Sequence, residues 1–174
     1  MSIIRLAGAS AILGLFIAQG PAQAAELTDP QIAHIAYTAG VLDIETAKLA
    51  LKKSKNKEVV AFARNMVHDH EAVNGKALAL VKKLKVTPED NDVSKGLVSQ
   101  AEAKRASLAA LDGPAFDKAY ADNEVGYHKT VNAALADTLI PAAANAELKA
   151  LLQTGLKIFQ GHELHAEHLA GTLK

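Results

Sequence analysis

Between Val59 and Leu84 an apolar or small residue returns at every third or fourth position: Val59, Ala63, Met66, Val73, Ala77, Leu80 and Leu84. Such a stripe fits one face of a helix roughly seven turns long, and it requires other helices to cover it. It is interrupted once, by His70, which stands where the next apolar residue belongs. An imidazole buried there costs free energy unless a hydrogen-bond partner or a metal ion satisfies it.

The rest of the chain is punctuated for helices and carries almost no strand signal. Thr28-Asp29-Pro30 supplies an N-cap with Pro at the first helical position, and Ile35, Ala39, Leu42, Thr46 and Leu49 then recur over Pro30 to Lys53. Ser54-Lys55-Asn56 caps the long second helix. After the turn Thr87 to Asp92, a more polar helix from Val93 to Leu111 carries Leu97, Ala101, Leu108 and Leu111 on one stripe. Asp112-Gly113-Pro114 ends it and starts the next, whose stripe of Phe116, Tyr120, Tyr127, Val131 and Leu135 is expected to stop before Pro141. A last helix, Ala143 to Ala170, carries Leu148, Leu152, Leu156, Phe159, His162, Ala166 and Leu169. Its internal Gly155 and Gly161 each cost about 1 kcal/mol relative to Ala, which suggests close packing or a site. Four long helices imply a bundle. With Val93 to Leu111 running back along the outside, helix two and the helix after Gly113 lie parallel, the long-crossover topology of ferritin-like bundles.

Residues 1–24 read as a cleavable signal peptide: Arg5, an apolar stretch from Leu6 to Ala18, and Ala22-x-Ala24 as the cleavage site. The stretch is shorter than the roughly 20 residues a membrane span needs, so the mature chain is expected to have no transmembrane span and to be periplasmic or secreted. Residues 25–174 are expected to form a single bundle domain. Of the 19 Lys and Arg residues only Arg5 lies in the signal, leaving 18 against 19 acidic residues. That balance, with no Trp, argues against a nucleic-acid partner. With no cysteine there is no disulfide, thiolate ligand or cysteine nucleophile. No Gly-x-Ser-x-Gly or phosphate-binding glycine loop occurs, which turns the reading away from an enzyme.

His128 follows Glu124 by four residues, so both project from one side of their helix. His162 lies on the stripe of its own helix, three residues before His165. Three long helices therefore each bring a histidine toward a common centre, and Glu45 is the candidate from the first. The functional reading is a metal site built from Glu45, His70, Glu124, His128 and His162, suited to iron, manganese, zinc or copper(II). The alternative is a satisfied buried network, such as His70 to Glu124 or His162 to Glu45, that only holds helix register. A di-iron centre of the Glu-x-x-His type is not supported, because Val67, Val125 and Phe159 precede the three histidines by three. Asp69, between His68 and His70, either orients an imidazole or faces solvent.

The stretch Phe62-Ala63-x-x-Met66-Val67-x-Asp69-His70, with Asn74 and Leu78, resembles the DUF4142 family of exported bacterial domains, which is assigned a ferritin-like fold and often labelled as outer membrane proteins. The resemblance continues through Leu111-Asp112-Gly113, Phe116-Asp117-x-x-Tyr120, His128, and His162 with Ala166 and Leu169, covering the chain from about Thr28. It implies an all-α, ferritin-like four-helix bundle with an additional crossover helix, residence in the periplasm or envelope, and no established reaction. It singles out Asp69, His70, Asp117, His128 and His162; His165, from its own spacing three residues after His162, is a further candidate ligand. The expected function is an exported bundle that binds a transition metal and serves metal handling or envelope stress tolerance. The alternatives are a scaffold for an envelope protein partner and a redox metalloenzyme.

Overall fold

The computed structural model describes residues 27–173; the expected signal peptide and its cleavage near Ala24 lie outside the described residues. Helix α1 spans Asp29–Lys53 and opens on a capping box in which the Thr28 side chain accepts from the Gln31 N–H. Helix α2, Lys57–Leu84, is capped by Asn56 and ends at Lys85, which adopts the left-handed conformation with φ 55°. Helix α3, Asp92–Ala109, opens on a second box, between Asn91 and Ser94. Helix α4, Gly113–Ala134, begins at a glycine with φ +56°, a conformation that side chains resist.

The helix after Gly113 does not stop before Pro141. It widens into a π-helical segment, Leu135–Leu139, and continues through the single turn α5, Ile140–Ala142. The Ile140 N–H donates to the Leu135 carbonyl, so the bonding register shifts by one residue just ahead of a proline that cannot donate. Helix α6, Ala146–Thr172, is capped by Asn145, and Asp29 at the start of α1 accepts hydrogen bonds from the Ala144 and Asn145 N–H groups at 2.9 Å each.

The chain is an all-α bundle, with no strand among the described residues. Two apolar clusters give its direction of winding. The first joins Ala47 and Ala50 at the end of α1, Phe62 and Met66 near the start of α2, Leu108 at the end of α3, Phe116 and Tyr120 at the start of α4, and Leu169 at the end of α6. The second joins Ile32 and Ile35 at the start of α1 with Leu135, Leu139, Leu148 and Leu152. Helices α2 and α4 therefore run parallel to each other and antiparallel to α1, α3 and α6, as expected from the sequence. The crossover helix α3 lies against α1 and α4 and is secured at its ends, with Ser94 and Leu108 as its buried residues. Of the two glycines in α6, Gly155 sits against Phe159 and Val73, whereas Gly161 faces open space and marks neither close packing nor a site.

Candidate metal centre

Between the two apolar clusters lies a belt of buried polar side chains: Asp43 from α1, His70 from α2, Glu124 and His128 from α4, and His162 from α6. Each points inward because its helix leaves it on the buried stripe, one or two turns from apolar neighbours such as Met66, Ala121 and Phe159. The rings of His70, His128 and His162 have centroid separations of 5.3 to 5.8 Å, and each offers a nitrogen lying within 4.8 Å of the others. Asp43, Glu124 and His128 form a second set meeting the same distance. Phe159 stacks on His70 at 4.4 Å and 8° between planes, which holds that ring in place.

Hydrogen bonds behind the rings select their tautomers. His128 Nδ1 lies 3.0 Å from the Glu124 backbone carbonyl, which can only accept. Burial lowers the His128 pKa, so the ring is neutral at neutral pH, Nδ1 carries the proton, and Nε2 presents a lone pair. His162 Nε2 lies 2.9 Å from Asp69 Oδ2, while burial pushes the His162 pKa down to about 4. Burial would raise the Asp69 pKa, but its bonds to His162 and His68 outweigh that and keep it ionised. His162 therefore donates through Nε2 and turns the lone pair of Nδ1 inward. Both lone-pair nitrogens, His128 Nε2 and His162 Nδ1, are buried without a hydrogen-bond partner.

The carboxylates face the same way. Asp43 Oδ2 pairs with His70 Nε2 at 2.7 Å and stands 3.7 Å from His128 Nε2. Burial raises the Asp43 pKa, but the His70 and His128 rings more than reverse that and hold the group well below the usual carboxylate range. Burial, then the Asp43 charge and its hydrogen bond, push Glu124 well above its ordinary value, which favours its protonated form. Its Oε1 accepts from Asn123 and its Oε2 has no partner. The lone pairs of His128 Nε2 and His162 Nδ1 thus share one region with the Asp43 carboxylate and His70. An imidazole and carboxylate set of this kind matches first-row divalent ions, and the Asp69 and Glu124 carbonyl contacts are of the type that orient ligand histidines.

The structure brings together four of the five expected residues and leaves out Glu45. Two positions beyond Asp43 on the same helix, Glu45 points about 200° away, and its Oε2 pairs with Arg105 Nη2 at 2.9 Å, tying α3 to α1. Asp43 is the acidic residue that sequence reasoning missed. The signal was present: it follows Ala39 by four and precedes Thr46 by three on the apolar stripe. Asp117 is buried two turns before Glu124, outside the centre, with Oδ1 unpartnered. His165 is exposed and meets the edge of Phe62 at 5.0 Å. Asp69 stands one step behind the centre, bridging His162 and the exposed His68, whose Nδ1 is 2.8 Å from Asp69 Oδ1. The pairs His70 to Glu124 and His162 to Glu45 do not form; Asp43 and Asp69 take those places.

A family model described as Domain of unknown function (DUF4142) matches residues 17–169, beginning inside the segment read as a signal peptide. No curated protein and no solved structure matches.

Proposed function

The chain belongs to the DUF4142 family, whose description carries no activity, and from that premise we propose that it binds one divalent transition-metal ion through His70, His128, His162 and Asp43. Glu124 is the fifth donor: a dication beside it favours loss of its proton, which burial otherwise retains. The single observation that carries this reading is the convergence of two unpartnered imidazole nitrogens, His128 Nε2 and His162 Nδ1, with His70 within 4.8 Å of them and the Asp43 carboxylate beside His70 and His128. A register-holding network would pair such atoms with one another, since an unpaired buried group costs about 1–3 kcal/mol.

The role that follows is metal handling or stress tolerance in the periplasm by a non-catalytic single-domain bundle, exported by residues 1–24 and cleaved near Ala24. No helix among the described residues is long and apolar enough to cross a membrane. A scaffold role would draw on an apolar outer face, but the exposed large apolar residues Leu78, Val93, Val98 and Leu164 are spread over three helices.

Untagged protein stripped with a chelator and reloaded tests the reading. Elemental analysis is expected to give one ion per chain, with a rise in melting temperature, because an ion that binds only the folded state stabilises it. The His70→Ala and His128→Ala double variant is expected to lose both. A parent that holds no stoichiometric metal and melts identically with and without divalent ions removes the proposal.

A further inference from the structure

Beside His70 and His128 lies a cavity of about 520 Å³, within the roughly 300–1,000 Å³ range of small-molecule sites. Its wall is apolar: Ile35 from α1, Leu97 from α3, Val131 from α4, Leu135 and Leu139 from the π segment, and Phe159 from α6. Among the described residues no Lys or Arg lines it, and Asp92 is the one carboxylate in its wall. Two of its hydroxyls are already engaged, since Tyr127 donates to the Ala39 carbonyl at 2.7 Å and Thr130 to the Gly126 carbonyl at 3.0 Å. The buried unpartnered polar atoms at the cavity are Nδ1 of His70 and Nε2 of His128, while the Gln100 amide and the Thr138 hydroxyl belong to exposed residues of the lining.

We propose that this cavity binds an uncharged, mainly apolar small molecule with a single hydroxyl, of the alkylphenol class, whose hydroxyl meets the imidazole floor while its hydrocarbon part fills the wall. Apolar burial drives entry. In metal-free protein the wall disfavours an anion, because its described residues offer no cation to pair with and one carboxylate to repel it. A single hydroxyl suffices because the acceptors lie at one place. Contact of that hydroxyl with an ion on the histidines rests on the metal reading above; the cavity does not. The way in runs past α3, whose middle buries no side chain and whose Gly96 lines the cavity with open space at its Cβ position.

The test titrates the uncharged fluorophore N-phenyl-1-naphthylamine into untagged protein, stripped and zinc-loaded, and displaces it with 4-hexylphenol, hexylbenzene or 4-hexylbenzoate. Metal content is measured on the same samples. The phenol is expected to compete about tenfold better than hexylbenzene, the difference one satisfied hydrogen bond makes, and, in stripped protein, better than the benzoate. Gly96→Phe, which fills the mouth, is expected to weaken the phenol at least about tenfold with melting temperature and metal content unchanged; Ala39→Leu fills the cavity from the opposite wall and serves if Gly96→Phe misfolds. Hexylbenzene or benzoate binding to stripped protein as well as the phenol, or equal phenol binding by the parent and a folded filled variant, overturns the inference. Phenol binding by protein that takes up no metal sinks the metal reading and upholds the cavity; metal uptake without displaceable probe does the reverse.

Discussion

Phe62, Met66, Phe116 and Tyr120 have no exposed surface at one end of the bundle, where Tyr120 stacks on Phe116 and meets the edge of Phe62, both at 6.1 Å. At the opposite end the core is mainly aliphatic, built on Ile32, Ile35, Leu135, Leu139, Leu148 and Leu152 with Phe159 next to the belt, and its helices stand far enough apart to enclose the cavity beside His70 and His128. The polar belt separates the two. The contrast teaches that close packing and access to the centre are divided between halves: the aromatic end holds the helices in register, while the aliphatic end leaves room next to the imidazoles. The π segment belongs to the second half and contributes Leu135, Thr138 and Leu139 to the cavity's lining.

The largest effect expected from this difference is on stability. Phe116→Ala should cost about 3–5 kcal/mol, because the closed end cannot collapse around the lost ring, whereas Leu139→Ala, which enlarges an existing cavity, should sit near the lower end of the 2–5 kcal/mol range. Urea unfolding of the two variants measures it; equal costs would erase the distinction between the halves.

A smaller effect belongs to the belt itself, in protein freed of metal. His162 titrates near 6.5 unfolded and near 4 folded, so it stabilises the fold while neutral, above its unfolded pKa. That contribution, about 3 kcal/mol, is lost as pH falls from 7 toward 4. His128 acts in the same direction. Asp43, depressed in the fold, adds a further loss below its unfolded value of 3.8. Glu124 works in the opposite sense: its raised pKa costs stability as pH climbs above 4.5. Glu124→Gln, a match for the protonated carboxyl, should therefore melt higher than the parent at pH 8 and equally at pH 4. Melting curves across that range decide it, and identical profiles for the parent and His162→Gln would show that the belt is not the acid-sensitive layer.

The smallest effect sharpens where the loose half begins. Gly40 lines the cavity, and a Cβ built there comes within 2.5 Å of the Asn74 amide oxygen. Gly40→Ala should cost about 1–3 kcal/mol by overpacking the α1–α2 contact. A neutral or stabilising result in thermal unfolding would mean that Asn74 swings into the adjacent space, extending the loose region across α1.

Much of this molecule is legible in its residues. Thr28, Asn56, Asn91 and Asn145 cap four helices with side chains that satisfy free backbone N–H groups, a local interaction that needs no tertiary information. The three-four spacing that buries Met66 and Phe159 also buries His70 and His162, so the histidines of the centre could be named from their stripes alone. Pro141 misled because its local preference for ending a helix was overridden by a π turn.

Sequence by itself determined the helices, their order and which imidazoles turn inward, since capping and amphipathic periodicity act within a few residues. Only the tertiary structure decided that Asp43 rather than Glu45 joins them, that Asp69 orients His162, and that a cavity opens beside the rings. Those outcomes depend on the rotation and spacing of helices distant in the chain, and a difference of two residues on α1 exchanges the centre for a surface pair with Arg105.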